Sequence, residues 1–159
     1  MAKVSWASSL GVARSMQSNR RRDTRPELLV RRALFANGLR FRVDFAPGRN
    51  RRRRADIVFT RTRLAIFIDG CFWHGCPVHA TTPKLNADYW RPKLERNVER
   101  DRETDEELRS EGWKVARFWE HEDPEAVVEA IRSLIAALEG STHWGDRTAS
   151  ERSDHGNEA

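Results

Sequence analysis

The sequence predicts an α/β (α+β) domain: a mixed central sheet with helices on both faces, in the order α-β-β-β-α-β-α. Three observations carry that prediction. LRFRVDF and WKVARFWE alternate apolar and polar residues with period two. ADIVF and LAIFI are apolar runs of strand length. Three other stretches repeat apolar residues at helical spacing between start and stop signals.

Residues 1–19 lack sustained periodicity and are expected to form an N-terminal arm or loose helix. The first helix is expected from Arg25 to Asn37. Thr24 and Glu27 fit a capping box, with Pro26 in the first turn. Leu28, Leu29, Ala33 and Leu34 form the stripe, and Gly38 is a natural stop. Leu39, Phe41, Val43 and Phe45 then share one face of a half-buried strand, and Pro47-Gly48 makes a turn. ADIVF and LAIFI, separated by TRTR, read as a buried hairpin. DGCFWHGCPVH and ATTPKLNA form a long loop. The second helix is expected from about Arg91 to Glu111, with Leu94, Val98 and Leu108 inward and Gly112 at its end. WKVARFWE is the fourth strand. Asp123-Pro124 opens a last helix, striped by Val127, Ile131, Leu134, Ile135 and Leu138 and closed by Gly140. The folded domain is thus expected over 20–140, and the patternless stretch 141–159 as a disordered tail.

A chain of 159 residues suits one domain that needs no disulfides. No run approaches a membrane span, and no signal-peptide core is visible at the N-terminus; a cytoplasmic, nucleoid-associated address is the expectation. The net charge of +5 is unevenly placed. Residues 1–54 hold fifteen Lys/Arg against Asp23, Glu27 and Asp44, a balance of +12, which leaves −7 for the remainder. Fourteen of those cations are Arg, the residue suited to bidentate phosphate contacts. The clusters Arg20–Arg22 and Arg49/Arg51–Arg54 therefore point to a polyanion such as nucleic acid.

The segment DGCFWHGCPVH (69–79) contains both cysteines of the chain. Cys71-x4-Cys76-x2-His79 offers three ligands of the kind zinc prefers. A closed tetrahedral site needs a fourth: His121, just past the last strand, is the best candidate, and His74, nearer in sequence, is the alternative. The deaminase pattern H-x-E is absent, since Cys76 stands two residues after His74. A zinc ion here would be a staple that fixes where Phe72, Trp73 and His74 point.

The carboxylates carry a second signal. Asp56 lies at the entry of a buried strand, where an unpaired acid is costly. Asp101 falls on the inward stripe of the second helix with Leu94, Val98 and Leu108, and Asn97 flanks it one turn earlier. An inward Asp is a common partner for orienting a histidine, and His74 is the obvious recipient. Glu27 is explained equally by the capping box and by a catalytic role. Among the tryptophans, Trp113 and Trp119 fit strand patterns and packing, whereas the polar surroundings of Trp73 and Trp90 predict exposure.

With Asp56, GCFWHGCP, YW, the N-x-x-R-D of Asn97 to Asp101 and WE-His121 together, residues 10–140 resemble the very short patch repair (Vsr) DNA mismatch endonucleases. The resemblance implies a restriction-endonuclease-like fold. It also implies Mg²⁺-dependent nicking of double-stranded DNA 5′ to the T of a T:G mismatch, the product of 5-methylcytosine deamination. By motif, Asp56 would be the main magnesium ligand and the Ile68 carbonyl would complete the shell. His74 would activate water, Asp101 would orient it, and Glu27 would support the metal-bound waters. Cys71, Cys76, His79 and His121 would hold structural Zn²⁺. Phe72, Trp73 and Trp90 would form an aromatic wedge, and Arg20, Arg21, Arg22, Arg51 and Arg52 would grip phosphates. Some members carry Thr at the position of Ile68 and His at that of Asp69; a carbonyl ligand survives the first change, and Asp69 could add a metal contact. The resemblance further implies repair-protein partners and a cytosine methyltransferase, and an asymmetric lesion needs only a monomer. Two other readings stand beside it: a nuclease of a restriction or defence system without mismatch specificity, and a non-catalytic zinc-stapled DNA-binding module.

Overall fold

A computed structural model describes residues 22–79 and 87–150. Its elements are α1 (Arg25–Ala36), β1 (Arg42–Phe45), β2 (Ala55–Phe59), β3 (Leu64–Asp69), α2 (Ala87–Ser110), β4 (Lys114–Trp119) and α3 (Pro124–Ser150). The order is the one expected. The arm expected over 1–19, with Arg20 and Arg21, lies outside the described residues, as do residues 151–159 of the expected tail.

The four strands form one sheet in the order β1-β2-β3-β4. β1–β2 and β2–β3 are antiparallel, and β3–β4 is parallel. Antiparallel neighbours need only short connections, whereas a parallel pair needs a crossover, which α2 supplies. On one face, Val30 and Leu34 of α1 and Val127, Val128 and Ile131 of α3 pack with Ile57, Phe59, Leu64 and Ile66. On the other, Leu108 of α2 packs with Ala55, Val58, Ala65, Phe67 and Trp113. Each fully buried Leu, Ile or Val contributes about 1.5–3 kcal/mol toward offsetting the cost of ordering the chain.

Several boundaries differ from expectation for identifiable reasons. α1 ends where foreseen, and Gly38 adopts φ +79° just beyond it. Thr24, however, makes no side-chain cap bond. Instead its hydroxyl donates to Glu27 Oε1 and the Asp23 amide donates to Glu27 Oε2, so the capping box is replaced by an acid that gathers donors. β1 is only the second half of LRFRVDF. Asp44 sits at φ +46°, and the alternation breaks there: Leu39 and Phe41 pack on the α1/α3 face, Phe45 on the α2 face. α2 begins at Ala87, four positions before the expected Arg91, so Pro92 lies inside the helix as its sixth residue, where its missing N–H removes one i→i−4 bond. α3 runs through Gly140 to Ser150 instead of stopping at the glycine. Gly140 is not among the residues with positive φ, so it continues the helix rather than capping it.

Candidate active site and metal centre

The topology brings three chain segments to one end of the sheet. Asp69 pairs with Trp119 in the parallel register, so the chain leaves β3 and β4 side by side. Two residues further on each strand stand Cys71 and His121, and Cys71 Sγ lies 3.0 Å from His121 Nδ1. The loop then turns on Gly75 (φ +68°), a conformation a side chain would strain, and returns Cys76 and His79 to the same point. Cys76 Sγ is 3.8 Å from His121 Nδ1 and 3.9 Å from His79 Nδ1, and Cys71 Sγ is 4.0 Å from His79 Nδ1. Zinc–sulfur and zinc–nitrogen bonds of about 2.3 and 2.0 Å in a tetrahedron put neighbouring ligand atoms roughly 3.5 Å apart, so this donor set fits zinc. His121, rather than His74, is the fourth member. Burial, with hydrogen bonding and repulsion from Cys76, pushes the metal-free Cys71 thiol up to about 11, which a bound cation would reverse. Glu120, unnoticed in the sequence, clamps the loop: its carboxylate accepts from the Cys71 amide at 2.7 Å, and its own amide donates to the Asp69 carbonyl.

His74 is turned away from the cysteines. Its Nδ1 lies 2.5 Å from Asp101 Oδ2 and 3.8 Å from Asp69 Oδ1. The inward acid predicted on the second helix thus meets the predicted histidine. Burial works against the imidazolium, but the Asp101 hydrogen bond and the Asp69 and Asp101 charges together raise the His74 pKa. The Asn97 amide donates to the Trp73 carbonyl at 3.3 Å, which ties the loop to α2.

Asp56 enters from β2, whose start is antiparallel to the end of β3. Its Oδ2 accepts the Ile68 amide at 2.7 Å. Burial pushes its carboxyl up to about 7; the Ile68 bond opposes this, while Glu27 and Asp69 repel the charge and Arg31 attracts it. Asp69 thus couples electrostatically to both Asp56 and His74. An acid held that high is short of counter-charge, the condition a hard divalent cation relieves. Glu27 is only 4 % exposed and pairs with the buried Arg31 at 2.8 Å, and its charge acts on Asp56.

The aromatics form a stack. Phe72, Trp73 and Trp90 meet edge to face with centroids 5.0–5.8 Å apart. Trp90 is 8 % exposed, contrary to the predicted exposure: the early start of α2 turns it beneath Phe72 and Trp73, which remain partly open. The arginines divide as well. Arg22 pairs with Asp23 and Asp44, and Arg53 with Glu103 and Glu107. Arg51 and Arg52 are exposed and form no ion pair among the described residues. A groove of about 350 Å³ bordered by Phe41, Phe59 and Ile135 holds none of the candidate site residues, so the polar cluster at the sheet end is the stronger site.

Comparison with known proteins agrees with this geometry. The family model for the DNA mismatch endonuclease Vsr matches residues 12–79. The Type II nicking enzyme V.NaeI of Lentzea aerocolonigenes is 47% identical over 143 residues, 89% of this chain and 84% of that one. The chain belongs to the Vsr family. The Vsr relatives also include the Type II nicking enzyme V.XorIIP of Xanthomonas oryzae, 41% identical over 76% of this chain and 88% of its own. The DNA mismatch endonuclease Vsr of Escherichia coli is 36% identical over 68% of each chain. Vsr proteins are DNA endonucleases, and no helix of the described residues is long and apolar enough to cross a membrane.

Proposed function

We propose that this protein nicks double-stranded DNA at T:G mismatches, on the T strand and 5′ to the T, by Mg²⁺-dependent phosphodiester hydrolysis. The observation that carries the reading is the cluster of Asp69, His74 and Asp101 at the sheet end where Asp56 accepts the Ile68 amide, next to the Cys71, Cys76, His79 and His121 set and two partly open aromatics. Asp56 and the Ile68 carbonyl would hold magnesium, with Glu27 supporting its waters. When bound, the ion offsets charge that builds on the phosphate and the departing oxygen. The chain's own part is proton handling. Asp101 fixes the tautomer of His74, whose Nε2 is left to take a proton from the attacking water; such general bases are worth about 10²–10⁴ in rate.

Cys71, Cys76, His79 and His121 would hold zinc and keep Phe72 and Trp73 rigid, with Trp90 as their base. A rigid wedge inserts most cheaply where pairing is already poor, and that difference is selectivity for a mismatch. Arg20–Arg22, Arg51 and Arg52 would contact phosphates. A second reading, a nuclease of a restriction or defence system without mismatch specificity, draws on the description of V.NaeI and V.XorIIP as Type II nicking enzymes. One assay tests both: Mg²⁺-dependent nicking of T:G duplexes against C:G controls, methylated and unmethylated. Cutting confined to T:G supports the mismatch reading, and equal cutting of T:G and C:G rejects it.

A further inference from the structure

Arg117 of β4 stands at the centre of the acid cluster. Its Nη1 donates to both oxygens of Asp69 at 2.9 and 3.0 Å. Its Nε and Nη2 reach Asp105 Oδ1 at 3.0 and 2.9 Å. Nη2 also donates to the Asp101 carbonyl at 3.4 Å and lies 3.7 Å from Asp101 Oδ1. The guanidinium covers the Phe67 ring at 4.3 Å. One planar cation therefore joins β3, β4 and α2 directly behind His74.

Its effect on His74 follows from the geometry. Two carboxylates face the same imidazole nitrogen: Asp101 at 2.5 Å and Asp69 at 3.8 Å. Asp69 is 6 % exposed, so without a partner it would seek the nearest N–H. Nη1 of Arg117 engages both of its oxygens, while Nε and Nη2 hold Asp105, and Asp101 is left as the acceptor for Nδ1–H. We propose that Arg117 is a positioning residue for nicking, which aims His74 by engaging Asp69; this rests on the function proposed above. A lysine could not bridge Asp69 and Asp105 with the same planar fork.

The test compares wild type, His74→Ala, Arg117→Met and Asp69→Asn/Arg117→Met in single-turnover nicking at saturating T:G duplex with Mg²⁺, alongside duplex affinity. Methionine keeps an apolar stem against Phe67. Arg117→Met is expected to lose about 10²-fold in rate with unchanged affinity, the scale set by a misaimed catalytic group. Removing the competing charge in the double variant is expected to restore the rate to within about tenfold of wild type, since replacing both partners of a buried pair is tolerated better than removing one. Arg117→Met at the wild-type rate overturns the proposal, as does a double variant no faster than the single one. If Arg117→Met does not fold, a double variant more than about tenfold below wild type overturns it. The hydrogen-bonded Nδ1–H resonance of His74 gives a readout independent of activity. It should persist in wild type and the double variant and change in Arg117→Met; an unchanged resonance in Arg117→Met rejects the role. A wild type that nicks no duplex rejects the functional reading and leaves that resonance to decide the role of Arg117.

Discussion

His74 Nδ1 lies 2.5 Å from Asp101 Oδ2, joining residues 27 positions apart in the chain. The loop contributes the imidazole and α2 contributes the acid, so the pair exists only when the loop is docked against the helix. His74→Ala is expected to lower single-turnover nicking by about 10²–10⁴ and Asp101→Asn by less, with little change in duplex affinity. Full nicking rates for His74→Ala would remove the imidazole from the mechanism.

The Cys71, Cys76, His79 and His121 set predicts one zinc per chain by elemental analysis. Cys71→Ser should lose that zinc and melt at a lower temperature, because ligand binding free energy is folding free energy at such a site. A zinc-free wild type with a normal melting temperature contradicts the staple.

Asp56 gives a pH dependence whose sign is fixed. Its pKa is raised from an ordinary 3.8 to about 7. Between those values the folded state binds the extra proton, so the acid destabilises the magnesium-free fold progressively as pH rises and fully above about 7. Asp56→Asn should therefore melt above wild type at pH 8, with the gap closing toward pH 4. Magnesium should narrow it at pH 8. A gap that widens on acidification contradicts the buried, uncompensated acid.

Arginines of one sequence cluster should behave differently. Arg51→Ala/Arg52→Ala is expected to reduce the salt slope of DNA binding by about 2, near 0.9 for each phosphate that is no longer neutralised. Arg53 is already paired with Glu103 and Glu107, so Arg53→Ala should leave that slope nearly unchanged. Equal slopes for all variants would place the DNA elsewhere.

The aromatic stack predicts a division between support and probe. Trp90→Ala should destabilise the protein by about 3–5 kcal/mol, the range for a buried aromatic. Phe72→Ala and Trp73→Ala should cost less stability while reducing the T:G over C:G nicking ratio. Chemical denaturation with matched nicking assays separates the two effects.

By itself the sequence determined the elements and most of the candidate site's residues that the fold brings together. Period-two and helical patterns are local consequences of burying one face, so element types and order were legible, as were the inward Asp101, its partner His74 and three cysteine and histidine ligands close together in the loop. Local pattern misjudged what neighbouring segments decide: Gly140 continues a helix that it was expected to end, and Trp90 is buried because α2 starts early. The sequence favours His121 over His74 as the fourth member of the candidate metal set; the tertiary structure brings it there through the parallel pairing of β3 with β4. Only the tertiary structure revealed Arg117. In WKVARFWE that residue reads as one more polar position of a half-buried strand; the crossover of α2 sets it against Asp69, Asp101 and Asp105. A charge takes its role from the groups packed around it, and those come from distant parts of the chain.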